Sequence, residues 1–186
     1  MKRLFDIILA LLVVAIAFLP MLIIALLIAC SSPGPIIYWS NRVGRNNIIF
    51  HMPKFRTMQV HTPAVATHLL DDPDRFLTPI GGFLRKTSLD ELPQLWSILK
   101  GDMSFVGPRP ALFNQDDLIE YRTKNGVYKL IPGLTGWAQI NGRDELPIPQ
   151  KVQFDHEYLE KRSFCFDLYI LWLTLLKVIR SDGISH

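Results

Sequence analysis

The hydrophobic pattern splits the chain into an apolar front and a mixed remainder. Ile7 to Cys30 holds no charged residue. A run of about 24 such residues can cross a bilayer as one helix, because about 20 suffice. A secretory signal would have an apolar core of about 7–15 residues and a small-residue cleavage site. This run is longer and shows no such site. Pro20 lies near its middle. A proline inside a helix removes a hydrogen bond and crowds the carbonyl one turn back. The helix can therefore kink at Pro20 and return to the side it left, each limb reaching roughly 18 Å at about 1.5 Å per residue. A straight span with a tolerated proline is the other reading. Lys2 and Arg3 hold the N-terminus in the cytoplasm, so a straight span would put everything after it outside. Ser31-Ser32-Pro33-Gly34-Pro35 cannot continue a helix and ends the element.

Beyond that point the apolar runs shorten. Ile36 to Trp39 and Ile48 to Phe50 are β-prone and flank a turn-rich stretch with Gly44, which predicts a small hairpin or a pair of extended segments. Lys54-Phe55-Arg56 alternates basic and aromatic. On a strand, Lys54 and Arg56 share a face, either as a solvated edge or as two phosphate ligands. Gln59 to Pro79 is polar, with prolines at 63, 73 and 79, and predicts a solvated loop. Its acids Asp71, Asp72 and Asp74 lack calcium-loop spacing. Phe164 to Ile179 carries apolar residues at helical spacing and is closed by Lys177 and Arg180. It predicts a core helix or an amphipathic helix in a membrane interface.

Composition narrows the picture. A chain of 186 residues fits one domain, or a smaller domain plus a membrane element. Twenty basic and 17 acidic residues leave a net charge of +3. That bias is too weak for a nucleic-acid partner and suits an anionic membrane surface. Cys30 and Cys165 form no C-x-x-C pattern and read as reduced packing residues. The five histidines are scattered without zinc-site spacing.

The densest chemical signal runs from Arg85 to Pro110. Ser88 followed by Glu91 fits a helix capping box. Pro93 opposes that reading, because it would fall at the fifth helical position and lack a needed N–H. Asp90 and Glu91 then belong to the turn that leads into the next helix. A helix entrance offers free amides and partial positive charge. One acid there could attack a phosphoryl group to give an acyl phosphate. The other could hold Mg²⁺, a hard ion that prefers carboxylate, phosphate and water oxygens. Arg109, stiffened between Pro108 and Pro110, suits bidentate phosphate recognition, or caps a surface turn. Three glycines punctuate Ile131 to Arg143 and permit close backbone approach to a ligand. In an extended segment Gln139, Asn141 and Arg143 share one face, which could meet a nucleotide, sugar or phosphate.

Taken in order, these motifs resemble the small monotopic phosphoglycosyl transferases of the bacterial sugar transferase family. The likeness runs through the N-terminal membrane helix, Lys54 to Met58, Ser88 to Pro93, Gly101 to Pro110, Pro132 to Arg143, and Asp155 with Tyr158. It implies an α+β, predominantly helical fold: a re-entrant membrane helix over 1–32, broken at Pro20, and a cytoplasmic catalytic domain over 33–186. That domain would have interfacial amphipathic helices and a short β-hairpin. The chain lacks the additional N-terminal membrane helices of larger relatives, which makes it a minimal catalytic unit on this reading.

The resemblance implies a two-step reaction in the bacterial inner membrane. Asp90 would attack the β-phosphate of a UDP-sugar and release UMP. Undecaprenyl phosphate, or another polyprenyl phosphate, would then take the phosphosugar. Glu91 would help to bind Mg²⁺. Lys54, Arg85, Arg109, Arg143 and Asp155 match polar positions around the family's active site. Membrane lipid is an implied partner, as are further copies of the chain or downstream glycosyltransferases. Specificity for the sugar is expected in the Gln59 to Pro79 loop and around Pro132 to Ile148. A phosphohydrolase built on the same acids, or a non-catalytic scaffold of a glycan assembly complex, are the competing readings.

Overall fold

The computed structural model of the chain describes residues 1–63, 72–142 and 146–180. Among these, helix predominates beside two small sheets, in keeping with the mainly helical α+β fold that the motifs imply. Helix α1, Lys2–Ser31, is the only described helix long and apolar enough to cross a membrane. Pro20 lies inside it, and the helical assignment continues across it. Little of α1 is buried, and its two ends bury different residues. Asp6 and Ala10 are buried near the start, and Ile24 and Ile28 near the end.

Strands β1, Ile37–Val43, and β2, Ile49–Phe55, form the predicted hairpin, each longer than its β-prone core. Their antiparallel register places Tyr38 opposite Lys54 and Arg42 opposite Phe50. Gly44 N–H donates to Ile48 O at 2.8 Å to close the turn. Asn46 and Asn47 take left-handed φ values of 57° and 59°, a conformation asparagine tolerates better than most residues. Lys54 lies within β2, whereas Arg56 lies beyond it. Arg56 does not join Lys54 on a ligand face. It is buried and donates to Ser32 O, Ser32 Oγ and Pro33 O, closing the chain behind α1.

Helix α2, Gly81–Lys86, leads through a 3-10 turn, Leu89–Gln94, into helix α3, Leu95–Lys100. Strand β3, Ser104–Val106, pairs in parallel with β5, Gly133–Thr135. Between them, β4, Ala111–Leu112, joins the free edge of β1. The expected approach of the glycine-rich run to a ligand is an approach to another strand. A Cβ on Gly133 would lie 2.1 Å from Gly107 N, and one on Gly136 would lie 2.1 Å from Gly107 O. Helices α4, Asp116–Lys124, α5, Trp137–Ile140, α6, Ile148–Lys161, and α7, Phe164–Arg180, complete the fold.

The main core gathers Ala10 of α1, Ile98 of α3, Met103, Phe105, Tyr158 and Ile170 of α7. Ile98 and Ile170 are wholly buried, and truncating either to alanine costs about 2–5 kcal/mol. A second cluster joins Ile24 and Ile28 to Phe55 and Leu84. Helix α7 has a core face and an exposed apolar face. Ile170 faces the core, while Leu168, Tyr169, Trp172, Leu175 and Val178 are exposed. Cys30 and Cys165 are free but exposed, so they are not the packing residues their apolar surroundings predict. Each occupies an outward position of its helix.

Candidate active site

The two acids of the Asp-Glu pair stand in the 3-10 turn Leu89–Gln94, ahead of α3. There is no capping box. Ser88 is in the left-handed region at φ 56°, with no side-chain cap bond. The bend this creates turns the acids toward β2. Asp90 is buried, and Glu91 has only 16% of its side chain exposed.

Two cations converge on Glu91. Lys54 Nζ lies 2.8 Å from Glu91 Oε1, and Arg109 Nη2 lies 3.0 Å from the same oxygen. Lys54 Nζ is also 3.9 Å from Asp90 Oδ2. Burial pushes the Glu91 carboxyl up, but the charges and hydrogen bonds of Lys54 and Arg109 outweigh it. They hold Glu91 well below the usual carboxylate range. Asp90 goes the other way. Burial raises its carboxyl, Glu91 adds to the rise, and Lys54, Arg85 and Arg109 oppose it. Two neighbouring carboxylates are thus driven apart in acidity, the separation that lets them take different roles.

Arg85 of α2 also acts on Asp90 through its charge. Burial lowers its pKa, and the charges of Asp90 and Asp74 counteract that. Its Nη2 lies 3.7 Å from Met58 Sδ. Arg109 is carried by the segment between β3 and β4, whose backbone is tied down residue by residue. Gly107 N–H donates to Thr135 O at 2.9 Å, and Pro108 O accepts from Gly133 N–H at 2.9 Å. Arg109 O accepts from Arg122 Nη1 at 2.7 Å. Lys54, Arg85 and Arg109 thereby meet the two acids at one place.

The remaining candidates lie elsewhere. Asp155 is buried in α6 and accepts from Arg122 Nε at 2.9 Å and Nη2 at 2.7 Å. It reaches the acids only through Arg122 and the Arg109 carbonyl. Gln139 and Asn141 do not share an extended face. Ile140 N–H and Asn141 N–H bond back to Gly136 O and Trp137 O, which winds this stretch into α5. Gln139 has its amide atoms buried without a hydrogen-bond partner, and Asn141 is exposed and bonds Trp137 O. Arg143 and Asp71 lie outside the described residues, as does much of the loop expected to distinguish sugars. Among the described residues no three acids, histidines or cysteines gather as a metal cage.

A family model for bacterial sugar transferases matches residues 1–181. The chain belongs to this family. It is 38% identical to the undecaprenyl-phosphate galactose phosphotransferase of Salmonella typhimurium, over 98% of this chain and 41% of that protein. It is 41% identical to the UDP-glucose:undecaprenyl-phosphate glucose-1-phosphate transferase of Escherichia coli, over 95% of this chain and 40% of that one. The chain therefore spans about two fifths of the length of these relatives. The uncharacterized sugar transferase EpsL of Bacillus subtilis is 40% identical, over 100% of this chain and 91% of its own length.

Two buried polar groupings near the core were not singled out from the motifs. Arg122 is the first. It sits four positions after Leu118 on the buried side of α4, and an arginine on an apolar face needs a buried acid, which is the signal that could have found it. The second is a cluster at the start of α1. Lys2 Nζ lies 2.6 Å from Asp167 Oδ2 and 3.1 Å from Val106 O. Tyr158 donates to Asp167 Oδ1 at 2.7 Å. Burial and the bond to Asp167 push the Tyr158 hydroxyl up and keep it protonated. Lys2 thus serves inside the fold, beside any role in orienting the membrane helix.

Proposed function

We propose that this sugar transferase moves a sugar-1-phosphate from a UDP-sugar to a polyprenyl phosphate, of which undecaprenyl phosphate is the form named in its relatives. The observation that carries the reading is the pairing of a buried Asp90 with a Glu91 whose charge is held by Lys54 and Arg109. Asp90 is the nucleophile. Its carboxylate oxygen forms a bond to the β-phosphorus as the bond to the UMP oxygen breaks, leaving an aspartyl phosphosugar and UMP. An oxygen of the polyprenyl phosphate then attacks the same phosphorus and frees Asp90.

Each neighbour has a task in these steps. Arg109 and Lys54 bind and orient the equatorial phosphate oxygens, and Arg85 adds to Lys54 in opposing the rise in Asp90. Glu91 is the acid best placed for Mg²⁺, because that ion takes one or two carboxylates and completes its shell with phosphates and water. When bound, the metal offsets negative charge on the pyrophosphate. The buried surroundings exclude water, which favours transfer over hydrolysis.

The reading places the site at the cytoplasmic face of the inner membrane, where UDP-sugars are. Two features support a re-entrant α1. Lys2 and Arg3 bond to Asp167, Ile98 O and Leu99 O at one end. Ile24 and Ile28 pack on Phe55 and Leu84 near the other. A helix crossing the bilayer would hold one of those ends about 30 Å from the domain. The exposed apolar residues of α7 would share the same interface.

The test is a covalent one. The chain, held in nanodiscs with Mg²⁺ and no lipid acceptor, is incubated with UDP-glucose, UDP-galactose and their N-acetyl forms. Intact mass is expected to rise by one phosphosugar at Asp90, and Asp90→Asn to abolish the gain. Turnover with undecaprenyl phosphate but no adduct would replace the covalent route by direct transfer. Release of sugar phosphate without lipid would replace transfer by hydrolysis.

A further inference from the structure

We propose that Arg122, clamped by Asp155, is a positioning residue that sets the reach of Arg109 to Glu91. This rests on the reading of Arg109 as a phosphate ligand. Arg122 uses its planar fork twice. Nε and Nη2 donate to one oxygen, Asp155 Oδ2, at 2.9 and 2.7 Å. Nη1 donates to the backbone carbonyl of Arg109 at 2.7 Å. The guanidinium of Arg109 then reaches Glu91 at 3.0 Å.

The arrangement is a relay of orientation, built from buried groups. Asp155 and Arg122 are 1% and 8% exposed. A buried ion pair seldom adds stability over apolar residues of the same shape, so its presence calls for another reason. The carbonyl it holds supplies one. Pro108 and Pro110 lack N–H groups, so the backbone N–H donors that commonly fix a loop are missing on both sides of Arg109. The Arg122 fork holds the Arg109 carbonyl instead, and Arg42 Nη1 donates to the next carbonyl, Pro110 O, at 3.2 Å. Val106, Gly107 and Pro108 are already tied by Lys2 and by the β5 ladder. Arg122 holds the next residue along. Lysine could keep the charge pairing with Asp155, but its ammonium lacks the rigid fork that bridges both acceptors.

Arg122 never meets substrate in this scheme. Its loss should therefore misplace a transition-state ligand without removing a binding group. A misplacement of about 1 Å can cost about 100-fold.

Two variants test this in the full chain in nanodiscs. Arg122→Lys keeps the pair. Arg122→Met with Asp155→Leu replaces it by apolar groups and strands no charge in the core. Both are assayed by UMP release from UDP-glucose and UDP-galactose with undecaprenyl phosphate, alongside thermal unfolding and amide exchange of the Arg109 to Leu112 segment. Both variants should unfold near the wild-type temperature, yet lose about tenfold or more in kcat with KM changed less than about threefold. The Arg109 and Ala111 amides should exchange about tenfold faster. Wild-type kcat and unaltered exchange in Arg122→Lys would overturn the proposal. A fall in kcat matched by a fall in unfolding temperature, with exchange faster throughout the fold, would overturn it too, in favour of a purely structural pair. If the wild-type chain turns over neither donor nor their N-acetyl forms, the transferase reading fails, and the exchange result still decides this one.

Discussion

Lys54 Nζ lies 2.8 Å from Glu91 Oε1, joining a hairpin strand to a turn 37 positions further along. The same ammonium lies 3.9 Å from Asp90. Lys54 therefore holds Glu91 ionised and opposes the rise in Asp90. Lys54→Met keeps the length of the side chain and removes its charge. UMP release should fall about 100-fold or more, the scale on which one preorganised electrostatic contact acts. Lys54→Arg should recover part of it. Wild-type rates in Lys54→Met would place Lys54 outside the reaction.

The acidity of Asp90 gives a pH dependence with a definite sign. Burial raises its carboxyl above the ordinary aspartate range, and Lys54 is the largest opposing charge. On the proposed mechanism, attack needs the ionised form. kcat/KM should therefore fall as pH drops through the raised pKa, at a higher pH than an ordinary aspartate would give, and level off above it. Removing Lys54 should move that acidic limb to still higher pH. A limb that stays in place in Lys54→Met would show that another group sets it.

The local motifs were legible in the sequence because their chemistry is local. Pro93 weighed against a capping box, and the structure puts Asp90 and Glu91 in a 3-10 turn leading into α3. The hairpin followed from two β-prone runs around Gly44. Other readings failed where a distant partner decides. Gln139 and Asn141 alternate in sequence, but Gly136 and Trp137 carbonyls wind them into α5. The bond of Asp155 to Arg122, 33 positions earlier, was likewise hidden from the sequence. Arg56 has the composition of a phosphate ligand and instead binds Ser32 and Pro33.

The contact between β3 and β5 makes a stability prediction. A Cβ on Gly133 would stand 2.1 Å from Gly107 N and 2.5 Å from Thr135 O. Both obstacles are backbone, so no side chain can move aside. Gly133→Ala should destabilise the chain by about 1–3 kcal/mol and shift the neighbouring Arg109. Gly82→Ala is the control, since its nearest neighbour would be Leu77 Cδ1 at 3.6 Å. Thermal unfolding of the two variants in one detergent compares them, and equal midpoints would contradict the packing argument.

The arrangement of α1 makes the last prediction. Its 30 residues would span about 45 Å as a straight helix, yet both ends touch the same domain. Lys2 pairs with Asp167 at one end, and Ile28 is wholly buried against the cluster of Phe55 and Leu84 near the other. If these contacts hold in the membrane, the two ends share one side, whether α1 bends at Pro20 or lies along the surface. In a chain with Cys30 and Cys165 replaced by alanine, a cysteine tag ahead of Met1 and a separate Lys124→Cys should behave alike. A membrane-impermeant maleimide should label neither in intact cells and both in inverted vesicles. Labelling of one site without the other in intact cells, Lys124→Cys alone if Lys2 and Arg3 hold the N-terminus inside, would mean that α1 crosses the membrane. The contacts of Lys2 and Arg3 with α3 and α7 would then have to be absent in the cell.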